Sequence, residues 1–208
     1  MTTTRLYVVR HGQSTHNQDK LISGYSENPA LTEQGIAEAK ATQQKLNHVH
    51  FDEAYSSDLQ RAAHTAKIIY GQEVHPSKQI TNLRERAFGT AEGKPQIVLD
   101  EFRDDPSFQA LTEEQRWFHK FADDMESDHE VATRFIGALE NIAQENVGKT
   151  LLVAAHGGTL RTLLISLGYA TNSELPFGSI DNASFVEIIY KDGKFTVGEL
   201  GGIHKATV

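Results

Sequence analysis

The chain has no cysteine among its 208 residues. That excludes disulfides, thiolate metal sites, iron–sulfur clusters and every mechanism with a cysteine nucleophile. It fits a cytoplasmic home, which is the expectation for localisation. Basic residues are also scarce: 20 Lys+Arg stand against 28 Asp+Glu, a formal net charge of −8 with histidines neutral. Nucleic-acid and anionic-membrane binders need a basic surface, so neither partner class is expected. No apolar run approaches the roughly 18 residues that cross a bilayer. The short apolar stretch after Met1-Thr2-Thr3-Thr4-Arg5 meets Arg10 and His11 too soon for a signal peptide. With 38% hydrophobic and 23% charged residues, the composition is that of a globular chain long enough to bury its own core. Repeats, low-complexity tracts and linkers are lacking, so residues 1–208 read as one domain.

Leu6-Tyr7-Val8-Val9 has the β-branched and aromatic character of a buried strand that ends on Arg10-His11-Gly12. Residues 13–30 read as a long loop or a loop with a helical turn. Thr32 can N-cap a helix running to about Leu46, which Gly35 weakens. Asp52 to Tyr55 reads as a short strand. Ser57-Asp58-Leu59-Gln60 has the pattern of a capping box, opening a helix with Leu59, Ala62, Ala66 and Ile69 on one face and Gly71 as its stop. Ile80 to Leu83 reads as an edge strand leading into Arg84-Glu85-Arg86. Residues 94–130 hold 11 acidic and 4 basic residues, nearly the whole excess charge, together with Phe102, Phe108, Trp117, Phe118 and Phe121. They read as a helical, lid-like insertion. Ser127 and Glu130 form another capping box, for a helix burying Val131, Phe135, Leu139 and Ile142 and ending near Gly148. Thr150 to Ala155 is the most strand-like run and ends on His156-Gly157-Gly158, with a helix from about Thr159 to Leu167. Ser184 to Tyr190 and Lys194 to Leu200 flank Asp192-Gly193, a hairpin signal. Strands alternating with helices imply an α/β layered sheet with a late antiparallel hairpin.

Two strands therefore end alike, on Arg10-His11 and on His156. Sites in open α/β sheets form at the carboxyl ends of strands. If these two strands are neighbours, two imidazoles and a guanidinium converge, with Arg61 at a helix start and Glu85 after a strand as further candidates. Such a collection suits a phosphoryl group, because guanidinium forks match its oxygens and a helix N-terminus favours the anion. A neutral imidazole can attack phosphorus, and a carboxylic acid can protonate the leaving alkoxide and then activate water. Each residue alone has a plainer reading as a surface contact, a turn or a solvated helix position.

Taken in order, Leu6–Ser14 with Asn17, Leu31–Gly35, Ser56–Ala62 with Thr65-Ala66, Leu83–Gly89 with Glu92-Gly93, Val153–Gly158 and Asp181–Ser184 resemble the histidine phosphatase superfamily in its phosphoglycerate mutase-like branch. The resemblance spans almost the whole chain. It implies a three-layer α/β sandwich with a central, mostly parallel sheet flanked by helices. It also implies a role for each matching residue. His11 is the nucleophile; Arg10, Arg61 and His156 hold the phosphoryl oxygens, with Asn17 at the rim and a backbone N–H from Gly157; Glu85 is the proton donor and later the general base. Ser23 stands where many members carry glutamine and is a weaker phosphate contact. Asn182 is expected to order the loop near His156. No metal and no cofactor are implied for a phosphatase.

The stretch from Glu85 to His156 is short for a cofactor-dependent mutase, and the chain stops soon after Leu200. The expected function is thus a metal-independent phosphatase acting on phosphomonoesters of small organic molecules through a phosphohistidine. The alternative is a 2,3-bisphosphoglycerate-dependent phosphoglycerate mutase, with that compound as cofactor. A non-catalytic phosphate-ligand binding protein is a lesser alternative, disfavoured because both His11 and Glu85 are present. The expected partner is a small phosphorylated metabolite. The acidic 94–130 segment should disfavour a substrate with several phosphates, although Arg103, Arg116, His119 and Lys120 offer it cations. Its aromatics are expected to glue its helices to the sheet. His48-Val49-His50 has metal-ligand spacing but no second cluster. Gly89–Lys94 is one residue short of a nucleotide-binding loop.

Overall fold

In the computed structural model, which describes residues 2–207, five strands form one mixed sheet in the order β2-β3-β1-β4-β5. The strands are β1 (Thr4–Arg10), β2 (Glu53–Ser56), β3 (Thr150–Ala155), β4 (Ile180–Lys191) and β5 (Lys194–Ile203). β1, β2 and β3 run parallel, whereas β4 pairs antiparallel with β1 and β5 antiparallel with β4. The β4–β5 turn places Asp192 and Gly193 at φ 52° and 74°, the left-handed pair that a two-residue hairpin requires.

The helices are α1 (Thr15–Gln18), α2 (Glu33–Lys45), α3 (Gln60–Tyr70), α4 (Ile97–Asp104), α5 (Pro106–Gln109), α6 (Glu113–Phe118), α7 (Asp128–Glu145) and α8 (Gly157–Ser166). The central strands are apolar on both faces because both are covered. Leu6, Val8, Leu151 and Val153 pack with Phe135, Leu139 and Ile142 of α7 and Leu160 and Leu163 of α8. Tyr7, Val9, Leu152 and Ala154 pack on the other face with Ala62, Ala66 and Ile69 of α3. This is the three-layer α/β arrangement. Each fully buried Leu, Ile or Phe contributes about 1.5–3 kcal/mol, so the α7 stripe alone anchors that helix. The Ser127–Glu130 capping box is formed at its start.

Several local expectations are corrected. Ser57 does not cap α3; its Oγ accepts from the Leu59 N–H, and Leu59 is the N-cap without a side-chain bond. The Gln60 N–H is satisfied by Asn28 Oδ1 at 2.8 Å instead. Residues 80–83 are not an edge strand. Gln79 makes an isolated bridge to Ser56, and Thr81–Leu83 is one 3-10 turn, because Arg84 N–H returns to the Thr81 carbonyl while its guanidinium grips Asp58 at 2.7 Å through two nitrogens. α8 starts at Gly157 rather than near Thr159, with His156 as its N-cap. α7 ends at Glu145, short of Gly148. The aromatics of residues 94–130 pack mainly on one another and on a separate cluster of Ile22, Ala91, Leu99 and Met125, not on the strands.

Candidate active site

The β1–β3 register pairs Arg10 with Ala155, so both strands finish at the same level. His11 N–H continues the ladder to the Ala155 carbonyl at 3.0 Å. His11 and His156 consequently face each other with ring centroids 5.1 Å apart, and both are buried. A hydrogen bond of 2.7 Å joins His11 Nδ1 to the Gly12 carbonyl. A carbonyl only accepts, so Nδ1 carries the proton and Nε2 presents its lone pair. Arg61 Nε donates toward Nε2 at 3.3 Å, consistent with that tautomer. Burial first, then the Arg61 and Arg10 guanidiniums, hold His11 well below the ordinary histidine value. Its imidazole is therefore neutral and nucleophilic. His156 is lowered by the same causes, burial leading and Arg61 next. Both of its ring nitrogens are buried without a partner.

Arg61 is fully buried, and burial pushes it down to about 10. It is fixed by the Gly24 and Glu27 carbonyls at 3.0 and 2.8 Å. Glu92 organises that loop by accepting the N–H groups of Tyr25 and Ser26. Arg10 is pinned through Nη1 to the Ile180 carbonyl, and its Nε is buried without a partner. Glu85 is held by two backbone donors, Arg86 N–H on Oε1 and Gly158 N–H on Oε2, each at 2.9 Å. Gly158 has to be glycine for this approach, since a methyl there would lie 2.5 Å from Oε1.

A cavity of about 340 Å³ opens above these groups. Arg10, His11, Asn17, Ser23, Glu85 and Gly157 all contribute to its wall. Arg61 and His156 are not on that wall; they are fully buried beside His11, with Arg61 at its Nε2. Ser23 Oγ is buried without a partner. Ser14 is the N-cap of α1 and Asn17 completes its capping box, its Oδ1 accepting from Ser14 N–H at 3.0 Å. Asn182 does not order the loop by a hydrogen bond; its Oδ1 has no partner, and the loop is tied to His11 by Ala183 N–H on the His11 carbonyl at 3.2 Å.

Other residues that shape the site were not legible as such. Thr65 Oγ1 accepts Gly12 N–H at 3.1 Å and donates to the Arg61 carbonyl at 2.8 Å. Arg134 gathers the carbonyls of Asn82, Arg84 and Glu85 and so fixes the Glu85 segment. Asp128 bridges Arg86 and Arg161. No sequence signal marks Arg134 or Asp128, whose partners are distant along the chain. Thr65 lies one helical turn after Arg61, and that spacing is the available hint.

An α/β sheet whose neighbouring strands end on two neutral histidines, with buried arginines and a backbone-fixed carboxylate gathered around them, is built to handle phosphate esters. Residues 6–201 match the profile of the histidine phosphatase superfamily (branch 1), and the chain belongs to that family. It is 34% identical over 205 residues to a 2,3-bisphosphoglycerate-dependent phosphoglycerate mutase of Bradyrhizobium sp., covering 92% of this chain and 93% of that protein. It is 32% identical over 214 residues to a broad-specificity phosphatase of Saccharomyces cerevisiae, covering 95% and 85%. Among solved structures, the phosphoserine phosphatase of Entamoeba histolytica in complex with 3-phosphoglyceric acid superimposes with a TM-score of 0.77 at 25% identity, covering 98% of each chain. Family members are phosphatases and mutases, so this chain is an enzyme of phosphate esters. Among the described residues no helix is long and apolar enough to cross a membrane.

Proposed function

We propose that the protein is a metal-independent phosphatase that hydrolyses phosphomonoesters of small organic molecules through a phosphohistidine. The observation that carries this reading is the locked His11 tautomer, with a neutral Nε2 in the same cavity as Glu85. Nε2 attacks phosphorus as the ester P–O bond breaks, and Glu85, in its acid form, gives its proton to the leaving oxygen. Water then attacks the phosphohistidine, Glu85 takes up the water's proton, and the P–N bond breaks to release phosphate and neutral His11. Arg10, Arg61 and His156 stabilise the phosphoryl charge, so the chemistry calls for no metal. Asn17, Ser23 and the Gly157 N–H complete the cradle.

Hydrolysis is favoured over return to a second acceptor by the likeness to the broad-specificity phosphatase, which extends over 95% of this chain. Among the described residues none beyond Ile180 lines the cavity. The mutase reading retains support from the Bradyrhizobium relative, and 2,3-bisphosphoglycerate would be its cofactor. The protein's partner is then a small phosphorylated metabolite, handled in the cytoplasm. The test is phosphate release from an aryl phosphate and from 3-phosphoglycerate in EDTA, for wild type and His11→Ala. Release by wild type alone is expected. Turnover by His11→Ala would remove His11 as nucleophile. Loss in EDTA restored by added metal would overturn the metal-free chemistry, and interconversion of phosphoglycerates without release would make it a mutase.

A further inference from the structure

A second cavity of about 350 Å³ adjoins the catalytic one, and the two share Arg86, Asp100, Arg103, Arg161 and Phe177 as a common wall. Charge counting over residues 94–130 predicts a surface hostile to anions, yet both arginines of the segment turn inward while most of its carboxylates stay outside. Glu101, Asp104, Asp105, Glu114, Asp123 and Glu130 are exposed, whereas Arg103 and Arg116 turn into this outer chamber. Four arginines therefore line it, Arg86, Arg103, Arg116 and Arg161, against the two carboxylates of Asp100 and Asp128. Asp128 is spent on Arg86 and Arg161, and Asp100 on Arg103 at 3.0 Å. The Nε groups of Arg103 and Arg116 are buried with no acceptor. Burial pushes Arg103 down to about 10 against the pull of Asp100, and the Arg86 and Arg161 guanidiniums push the same way. Phe177 stands between two of the guanidiniums, its ring centroid 3.7 Å from Arg103 and 4.3 Å from Arg161, which holds their planes in place.

Buried and half-buried guanidiniums, four against the wall's two carboxylates with Glu113 beside Arg116 as a third, together with unused donors and a shared wall with the phosphoryl site, suit a second anion. We propose that this outer chamber binds a second anionic group of the molecule whose phosphomonoester is attacked by His11. On that basis, which rests on the function proposed above, the preferred substrates are phosphomonoesters carrying a carboxylate or a second phosphate. Either group matches the planar donor fork of arginine. The chamber's remaining surface, Phe108, Phe121 and Phe177, suits a short carbon chain between the two charges.

The test compares kcat/KM within two matched pairs. These are 3-phosphoglycerate against glycerol 3-phosphate, and propane-1,3-diol bisphosphate against propyl phosphate. Wild type is expected to favour the dianchored member of at least one pair by tenfold or more, and the pair that responds tells carboxylate from phosphate. Arg103→Met and the more exposed Arg116→Met should each lower that ratio by about tenfold, the worth of a charge-assisted hydrogen bond. A wild type without preference in either pair would overturn the proposal, as would a preference that survives both substitutions. If wild type released phosphate from none of the four compounds, the phosphatase reading would fail on its own. The same ratios, read as Kd by calorimetry in a His11→Ala background, would then decide the chamber's role separately.

Discussion

Two neutral imidazoles enclosed beside buried guanidiniums make the protein lose stability on the acid side of neutrality. His11 and His156 are 3% and 0% exposed, and burial followed by Arg61 holds both well below the usual 6.5. Each binds its proton less readily folded than unfolded. Below about pH 6.5 the unfolded chain thus carries more protons than the native one, and the free energy of unfolding rises with pH. The stabilisation is fully present above the unfolded value and is lost as the pH falls toward the folded ones. From pH 6.5 to 5.5 each histidine that stays neutral in the fold forfeits about 1 kcal/mol, so the pair forfeits about 2 kcal/mol. Depressed carboxylates such as Asp58, hydrogen-bonded by Arg84, act in another window: their contribution is present above about pH 4 and is lost only below it. Urea unfolding at pH 8, 6.5 and 5.5 should show the loss in wild type and most of it removed in a His11→Asn, His156→Asn double variant. Inorganic phosphate should flatten the wild-type profile, since an anion beside the rings favours their protonated forms. A wild-type profile flat over this range, or one equally steep in the double variant, would refute the placement of two neutral rings in this site.

Two further outcomes follow from contacts around the site. Glu85→Gln removes the proton donor while its amide can keep one backbone bond, so kcat/KM for an alkyl phosphate should fall by about 10²–10⁴-fold and that for an aryl phosphate, whose leaving group needs no proton, by less than tenfold. Equal losses in kcat/KM, which reads the phosphorylation step alone, on both substrates would argue against the acid role. Gly35→Ala sets helix propensity against packing. Propensity alone promises about 1 kcal/mol of added stability, but a methyl at Gly35 would lie 2.1 Å from the Gln13 carbonyl oxygen. Overpacking of about 1–3 kcal/mol should win, lowering the melting temperature by several degrees and displacing the loop after His11; a rise in melting temperature would show that the loop yields freely.

Much of this architecture is written locally. The apolar runs at Leu6–Val9 and Thr150–Ala155 can only be strands covered on both sides, the Ser127–Glu130 capping box fixes the start of α7, and Asp192-Gly193 fixes the hairpin. Periodicity and turn chemistry act within a few residues, so sequence reports them. The same holds for the proposed chemical core: His11, Arg10, Glu85 and His156 follow strand or segment ends, where an α/β sheet collects its ligands. The start of α3 is not legible locally because its first N–H is met by Asn28, 32 residues away, and neither is the turn at residues 80–83, because Arg84 is drawn to Asp58.

Charge was the least legible property. Composition assigns residues 94–130 a net negative character, and that is true of the segment as a whole. Which sign faces the cavity depends on which side of each short helix is buried, and that is decided by the packing of Leu99, Phe102 and Phe121 against Ile22 and Met125. The chain by itself determined the layers, the order of the strands' polar ends and the residue types available for phosphoryl chemistry. Only the tertiary structure decided that the Gly12 carbonyl fixes the His11 tautomer, that Arg134 holds the Glu85 segment, and that an acidic stretch of sequence turns its arginines inward, because each of these is a contact between atoms that sequence distance does not encode.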